Sequence, residues 1–311
     1  MDLDKRIEIP SQRYGRYQVR GRLGAGGMAE VFLADVVDEH GESLTVALKL
    51  MKKDGSRDAF ASEADLMGLL DHPNLVKRLE VGEAFGRPFI AMEFLMGGDV
   101  ARLQEAHRRQ RLDFPTPLGL YIVLELLQGL AYFHRLRSRT GTQLQLVHGD
   151  INPANLFLGE SGAVKLGDFG VAMSRSVDIG PAEGVAAGKL HYLSPEQTRG
   201  EPLQPSSDLF AVGIVLHELV VGYHPFADGV GREDVAHVMG VIRAARLTLP
   251  EFVDRPLAGI LRKALHPDRH GRYQTAGEMA GDLLHFGLDH DLLPRREQVA
   301  QALAATLGIL E

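Results

Sequence analysis

Apolar positions along this chain follow two regimes that change near residue 96. Before it, short runs rich in Val, Leu, Ile, Tyr and Phe, bounded by Gly, Pro and charged residues, predict strands over 17–23, 30–37, 45–50, 76–83 and 88–93. Among them, 59–70 has helical spacing and runs into Asp71-His72-Pro73, where proline stops a helix. Met96-Gly97-Gly98 interrupts the pattern and predicts a hinge. From Asp99 onward the periodicity is mainly helical. Residues 118–136 are apolar enough for a buried helix, 208–221 predict another, and 298–310 form a mildly amphipathic tail helix. Two lobes are therefore expected, one strand-rich and one helical, with a ligand cleft where they meet.

The length of 311 residues suffices for two cores, and 45% hydrophobic with 24% charged residues is ordinary for a globular chain. A formal net charge of −7 provides no basic footprint for a nucleic-acid partner. The absence of cysteine excludes a disulfide framework and a thiolate metal site, and fits a cytoplasmic protein. The first ten residues lack the apolar centre of a signal peptide, and no membrane segment is expected.

The chemistry concentrates in His148-Gly149-Asp150-Ile151-Asn152-Pro153-Ala154-Asn155 and, downstream, Asp168-Phe169-Gly170. An Asp, an Asn and a second Asp spread over a loop, a short hairpin and another loop suit phosphoryl transfer. Asp150 accepts or orients a hydroxyl proton, while Asn155 and Asp168 offer hard oxygen ligands for Mg²⁺ on nucleotide phosphates. Here the chain resembles the eukaryotic-like bacterial serine/threonine protein kinases, whose motifs are HRDxxxxN and DFG. Two positions depart from them: Gly149 stands for the Arg, and Asn152 for the Lys.

The resemblance extends over about residues 17–286. It implies an α+β, bilobal protein-kinase-like fold over 14–288. An N-lobe of 14–95 carries an antiparallel sheet and one helix, and a C-lobe of 96–288 is mainly helical. Residues 1–13 form an extension and 289–311 a helical tail. Leu23, Gly24, Ala25, Gly26 and Gly27, between two strands, resemble the phosphate-covering glycine loop, with Ala29 at the third glycine position. Glycines there expose backbone N–H groups and permit positive φ. Val46-Ala47-Leu48-Lys49 resembles VAIK; Lys49 would reach the phosphates and pair with Glu63, with Asp65 as the fallback. By the same resemblance Met92 is the gatekeeper, Glu93 and Leu95 offer hinge backbone to adenine, and Leu23, Val31, Ala47 and Phe157 sandwich the ring. Asp99 falls near the ribose. Ordinary core packing is the competing account of each apolar position.

Further motifs follow. Phe169 is expected against His148, which makes the histidine structural. Ser194-Pro195-Glu196 resembles APE, and Glu196 is expected to pair with Arg272, Arg269 being the competitor. Asp208 is expected to brace the catalytic-loop backbone. Gly149, together with the absence of Thr over 171–189, where Ser174 and Ser176 are the only hydroxyls, predicts activity without loop phosphorylation. Lys189, where the family has Thr, is a candidate to restore the charge missing at Asn152; a surface lysine is the equal alternative. Residues 135–147 make a longer connector than the family's, a partner-binding hairpin or a solvated loop. The implied activity is transfer of the ATP γ-phosphate, with Mg²⁺, to a protein Ser or Thr. Two alternatives remain: a nucleotide-binding pseudokinase scaffold, and a small-molecule phosphotransferase of the aminoglycoside or choline type, which shares the HGDxxxxN pattern.

Overall fold

The computed structural model describes residues 13–37, 40–138, 140–170, 190–226 and 235–307. The chain divides into two compact units, one running to Asp71 and including Leu75–Leu95, the other comprising His72–Asn74 and the residues from Met96 onward.

In the first unit β1 (Arg13–Tyr14), β2 (Tyr17–Ala25), β3 (Ala29–Val37), β4 (Ser43–Met51), β5 (Arg78–Ala84) and β6 (Arg87–Glu93) form one antiparallel sheet in the order β1-β2-β3-β4-β6-β5. Two-residue periodicity decides its faces. Val46, Leu48 and Leu50 of β4 are buried with Tyr17, Val19, Phe32, Ala34, Phe89 and Ala91, while Thr45, Ala47 and Lys49 lie on the less buried face. Strands outrun their apolar runs because ladder pairing continues through polar and glycine positions, as at Gly24↔Val31 and Ala25↔Glu30.

The one helix of this unit, α1 (Arg57–Met67), starts at Ser56, whose Oγ accepts from Ala59 N at 3.3 Å. It stops at Met67, not at 70. Gly68 N bonds both Ala64 O and Asp65 O, Leu69 and Leu70 turn more tightly onto Leu66 and Met67, and Arg78 Nη1 donates to Ala64 O at 2.7 Å. The terminal carbonyls are thus satisfied before Pro73 is reached.

The second unit contains α2 (Val100–Gln110), α3 (Thr116–His134), the hairpin β7 (Leu156–Leu158) and β8 (Val164–Leu166), then α4 (Pro205–Val221), α5 (Val235–Ala244), α6 (Arg255–Ala264), α7 (Ala276–Asp289) and α8 (Arg296–Leu307). α3 packs against α4, α7 and β8. Among the described residues α3 is the one helix long and apolar enough to cross a membrane by length and composition. Leu120, Ile122, Val123, Leu127, Leu130 and Phe133 are fully buried within this unit, while Leu124 and Ala131 are half-buried.

α4 begins at Pro205, ahead of the apolar run that predicts it. Gln204 and Ser207 cap one another reciprocally, and Pro205 fills the first helical position, where its missing N–H costs nothing. The connector after α3 closes as an exposed hairpin-like turn. Arg137 bridges Gln143, Ser138 N donates to Thr142 O at 2.8 Å, and Arg137 Nη1 donates to Gly141 O at 2.8 Å. Asn74 also belongs to this unit: its Nδ2 donates to Glu125 Oε2 at 2.8 Å and Val164 O at 3.0 Å, and its carbonyl accepts from Leu166 N at 2.8 Å.

Candidate active site

On the first unit, cross-strand register collects the candidates on one face. Val31 pairs with Lys49, and Ala47 pairs with Met92; directly paired residues share a face. Lys49 Nζ lies 2.5 Å from Glu63 Oε1, and both side chains are largely removed from water. Asp65 is exposed on α1, so the helix phase presents Glu63 to the lysine. Glu93 Oε1 accepts from Lys77 N at 2.7 Å and Glu93 N donates to Lys77 O at 3.0 Å, which ties the end of β6 to the chain entering β5.

The glycine loop closes with Gly26 N donating to Ala29 O at 2.9 Å. None of Gly24, Gly26 and Gly27 has positive φ, contrary to the expectation from their residue type. Their use lies in bare backbone instead: a Cβ at Gly24 or Gly27 would meet nothing within 4 Å, so the loop surface is open to an incoming group.

On the second unit, the loop 148–155 hangs on one carboxylate. Asp208, 1% exposed, accepts from His148 N through Oδ2 and from Gly149 N through Oδ1, each at 2.8 Å, and His134 Nε2 sits 2.8 Å from Oδ2. His148 is fully buried. Its Nδ1 accepts from Asp150 N at 3.3 Å and its Nε2 faces Gly167 O at 3.2 Å, an arrangement that requires the neutral ring protonated on Nε2. Burial pushes its pKa below the ordinary histidine range, which favours the same state. Phe169 packs edge-on to His148 with centroids 5.3 Å apart, and Phe133 touches both rings. The histidine is thus a fixed strut between the loops, in agreement with the structural role expected for it.

Asp150 is held by two amides. Asn152 Nδ2 donates to its Oδ1 and Asn155 Nδ2 to its Oδ2, both at 2.9 Å, and both amides also bond Asp150 O. Because Asn155 commits its amide nitrogen to Asp150, its oxygen is the atom available as a ligand. That atom and the Asp168 carboxylate are the hard donors Mg²⁺ takes, so the residue set fits the ion. Asp168 adopts φ 60°, a left-handed conformation that is uncommon outside glycine and concentrates at functional loops. β7 and β8 connect Asn155 to Asp168, and Gly167 N donates to Asn155 O at 3.0 Å, closing the hairpin at its base.

Asp99 caps α2, with Oδ1 accepting from Arg102 N at 2.9 Å, and its backbone bridges Phe157. Leu23 remains exposed and Val31 and Phe157 half-buried. Lys189, Ser174 and Ser176 lie outside the described residues, as does the loop on which the phosphorylation argument rests.

A protein kinase domain signature matches residues 17–282. The chain belongs to the protein kinase family. It is 35% identical over 288 residues to the tyrosine-protein kinase MasK of Myxococcus xanthus, covering 90% of this chain and 44% of that protein. It is 33% identical over 280 residues to the serine/threonine-protein kinase PrkC of Bacillus subtilis, covering 86% and 40%. To the serine/threonine-protein kinase PknB of Mycobacterium leprae it is 31% identical over 293 residues, covering 89% and 44%. The chain spans less than half the length of each of these relatives.

The kinase loop departures acquire physical content in this frame. Gly149 has φ 74°, in the left-handed region where a side chain costs roughly 1–2 kcal/mol. Asn152 is buried and does two jobs: its Oδ1 caps Ala154 N at 3.1 Å, and its Nδ2 orients Asp150. That donor is aimed at the Asp150 carboxylate. Asn152→Asp keeps the cap and removes the donor, placing a second negative charge beside Asp150. We expect phosphoryl transfer to fall by roughly tenfold or more and, because residue 152 is buried, the melting temperature to drop at neutral pH, read from kcat at a temperature where the chain stays folded beside a melting curve.

Gln197 was not singled out by sequence reasoning. Its Oε1 accepts from Ser194 N and its Nε2 donates to Gly149 O, both at 2.8 Å, so it links the APE-like segment to the catalytic loop. A glutamine one residue after that motif has no spacing signal of its own. Glu196 and Arg272 form the expected pair, with Nη1–Oε1 at 2.8 Å and Nη2–Oε2 at 3.0 Å, while Arg269 goes to Glu201. Burial alone would raise the Glu196 carboxyl; the Arg272 fork and the Ser207 hydroxyl outweigh it and hold Glu196 below the ordinary range.

Tyr192, just ahead of that segment, donates to Glu218 Oε2 at 2.8 Å. Burial pushes Glu218 up to about 7, against opposing hydrogen bonds from Tyr192 and Gln104 and the charge of Arg108. Between pH 4.5 and about 7 the folded chain therefore holds a proton that the unfolded chain has lost. This contribution to stability is full below 4.5 and is lost as pH rises through about 7. Glu218→Gln should melt close to the parent at pH 4.5 and above it at pH 8; a constant gap across that range would refute the assignment.

Proposed function

We propose that the chain is an ATP- and Mg²⁺-dependent kinase that phosphorylates serine or threonine hydroxyls of proteins. The observation that carries this reading is Asp150, a carboxylate fixed on both oxygens by Asn152 and Asn155 within one short loop. That arrangement orients an acceptor hydroxyl and takes its proton as the oxygen attacks. The glycine loop and Lys49 bind the nucleotide phosphates, and Glu63 keeps the lysine in place. Asn155 and Asp168 would hold Mg²⁺, which would supply positive charge to the phosphate oxygens. On the first unit, Val31, Ala47, Met92, Glu93 and Leu95 are the residues offered to the base.

The relatives named for serine/threonine activity support the hydroxyl class, and the protein kinase signature weighs against a small-molecule substrate. A cytoplasmic setting agrees with ATP use and with the lack of cysteine among the 311 residues. The test is incubation with Mg²⁺ and γ-labelled ATP, with and without a generic basic protein, beside an Asp150→Asn control. Label on phosphoserine or phosphothreonine that the control lacks is the expected result. Phosphotyrosine would move the acceptor to the class for which MasK is named. Magnesium-dependent nucleotide binding without any transfer would make the chain a scaffold.

A further inference from the structure

The helix α8 lies beyond the residues that the kinase signature covers, yet it reaches the turn of the β7–β8 hairpin. Arg296 Nε donates to Ser161 O at 3.0 Å, and its Nη2 donates to Ser161 Oγ at 3.3 Å. Gly162 has φ 79°, and a Cβ there would fall 2.8 Å from Arg296 O and 3.4 Å from Ala300 N, so the turn and the helix approach backbone to backbone. Tyr121 of α3 holds the same residue from its own side, its hydroxyl donating to Gly162 O at 2.9 Å. Val299 and Leu303 are buried, and α8 packs on α2. α2 in turn follows the strand-like segment that pairs with β7, through Leu158 N to Gly98 O at 2.8 Å and the bridge between Asp99 and Phe157.

These contacts close a ring of α2, the hairpin and α8. Asn155 immediately precedes β7, and Asp168 follows the end of β8 by two residues. We propose that α8 is a clamp on this hairpin, and that Arg296 is a positioning residue which, by fixing the turn, sets the relative placement of the two Mg²⁺-binding side chains. The inference rests on the proposed roles of Asn155 and Asp168. A three-residue strand pair is marginal on its own, so its geometry depends on what grips it. Ser161 and Arg296 are exposed, and replacing Arg296 opens no core, whereas α8 itself is secured by Val299 and Leu303.

The experiment uses the whole chain and two readouts. The first is amide hydrogen exchange without ligand. Arg296→Ala should speed exchange across residues 156–166 by about fivefold, the factor set by one hydrogen bond of ordinary net strength, and leave β2–β4 unchanged. The second is the Mg²⁺ concentration giving half of the ATP-dependent thermal shift. It should rise by a similar factor, and Arg296→Lys, which keeps one donor toward Ser161 O, should recover part of both effects. Unchanged hairpin exchange would overturn the clamp. Faster exchange with an unchanged Mg²⁺ midpoint would reduce α8 to a purely structural brace and overturn the positioning role. A parent chain without any Mg²⁺-dependent nucleotide shift would remove the kinase reading and this inference with it. The ligand-free exchange data separate that failure from the other two.

Discussion

Asp150→Asn should lower phosphoryl transfer by about 10²–10⁴-fold while the chain melts close to the parent. The substitution is isosteric. The backbone carbonyl of residue 150 still accepts from Asn152 and Asn155, and its N–H still meets His148 Nδ1, so the loop keeps most of its frame. What goes is the proton acceptor, together with one of the two side-chain bonds, since an asparagine has a single carbonyl oxygen to receive two donors. Losing one such bond accounts for about 1 kcal/mol, far short of the expected loss of rate. The KM for ATP should hold, because Asp150 is assigned to the acceptor hydroxyl and not to the nucleotide. The measurement is a steady-state rate with a protein substrate, beside a melting curve. A kcat within about threefold of the parent would place the proton elsewhere.

Arg272→Leu should destabilise the second unit by about 3–5 kcal/mol, the range seen when one partner of a buried ion pair is removed. Arg272 and Glu196 are 2% and 1% exposed. The guanidinium also donates to His266 O at 2.6 Å, Pro267 O at 3.0 Å and Ser206 O at 3.3 Å, and it lies over the Phe210 ring at 4.7 Å. Its removal therefore takes the cation from a buried carboxylate, which still receives the Ser207 hydroxyl, and a donor from each of three carbonyls. The double variant Glu196→Met with Arg272→Leu buries no charge and should regain a large part of the loss. The pair also has a pH signature. Because Arg272 and Ser207 hold the Glu196 pKa below its unfolded value, the contribution of the pair is complete above the ordinary glutamate range. It disappears as pH falls through the lowered value. Urea melts from neutral to acid pH check both statements, and a single variant within about 1 kcal/mol of the parent would show the pair to be dispensable.

The positions that sequence alone made legible share a property: their meaning lies in residue type at a fixed spacing. Asp150, Asn155 and Asp168 were found because few structures need those oxygens in that order, and Lys49 because it ends a run, Val46-Ala47-Leu48-Lys49, that resembles VAIK. The strand-rich and helical halves followed from periods of two and 3.6. Element ends were less legible, since caps decide them. Arg78 closes α1 from another strand, and Gln204 with Ser207 opens α4 before its apolar run begins.

Tertiary structure decided the rest, because hydrogen bonds and close approaches between distant residues leave no periodic trace in a chain. Glu63 was the expected partner of Lys49, with Asp65 as the fallback, and the fold buries the first against the lysine while it exposes the second. Arg269 and Arg272 were separated only when the fold gave the first to Glu201 and seated the second over Phe210. Asn152 read as a lost charge; packed in its loop, it caps Ala154 and steers Asp150 with one amide group. Gln197 and Arg296 carry no motif, and the close approach of Gly162 to α8 depends on residues more than a hundred positions away. The residue types that make the chemistry possible are thus written locally in the chain. Their orientation is a long-range property, because a donor and its acceptor become neighbours only when the apolar faces that carry them are buried together.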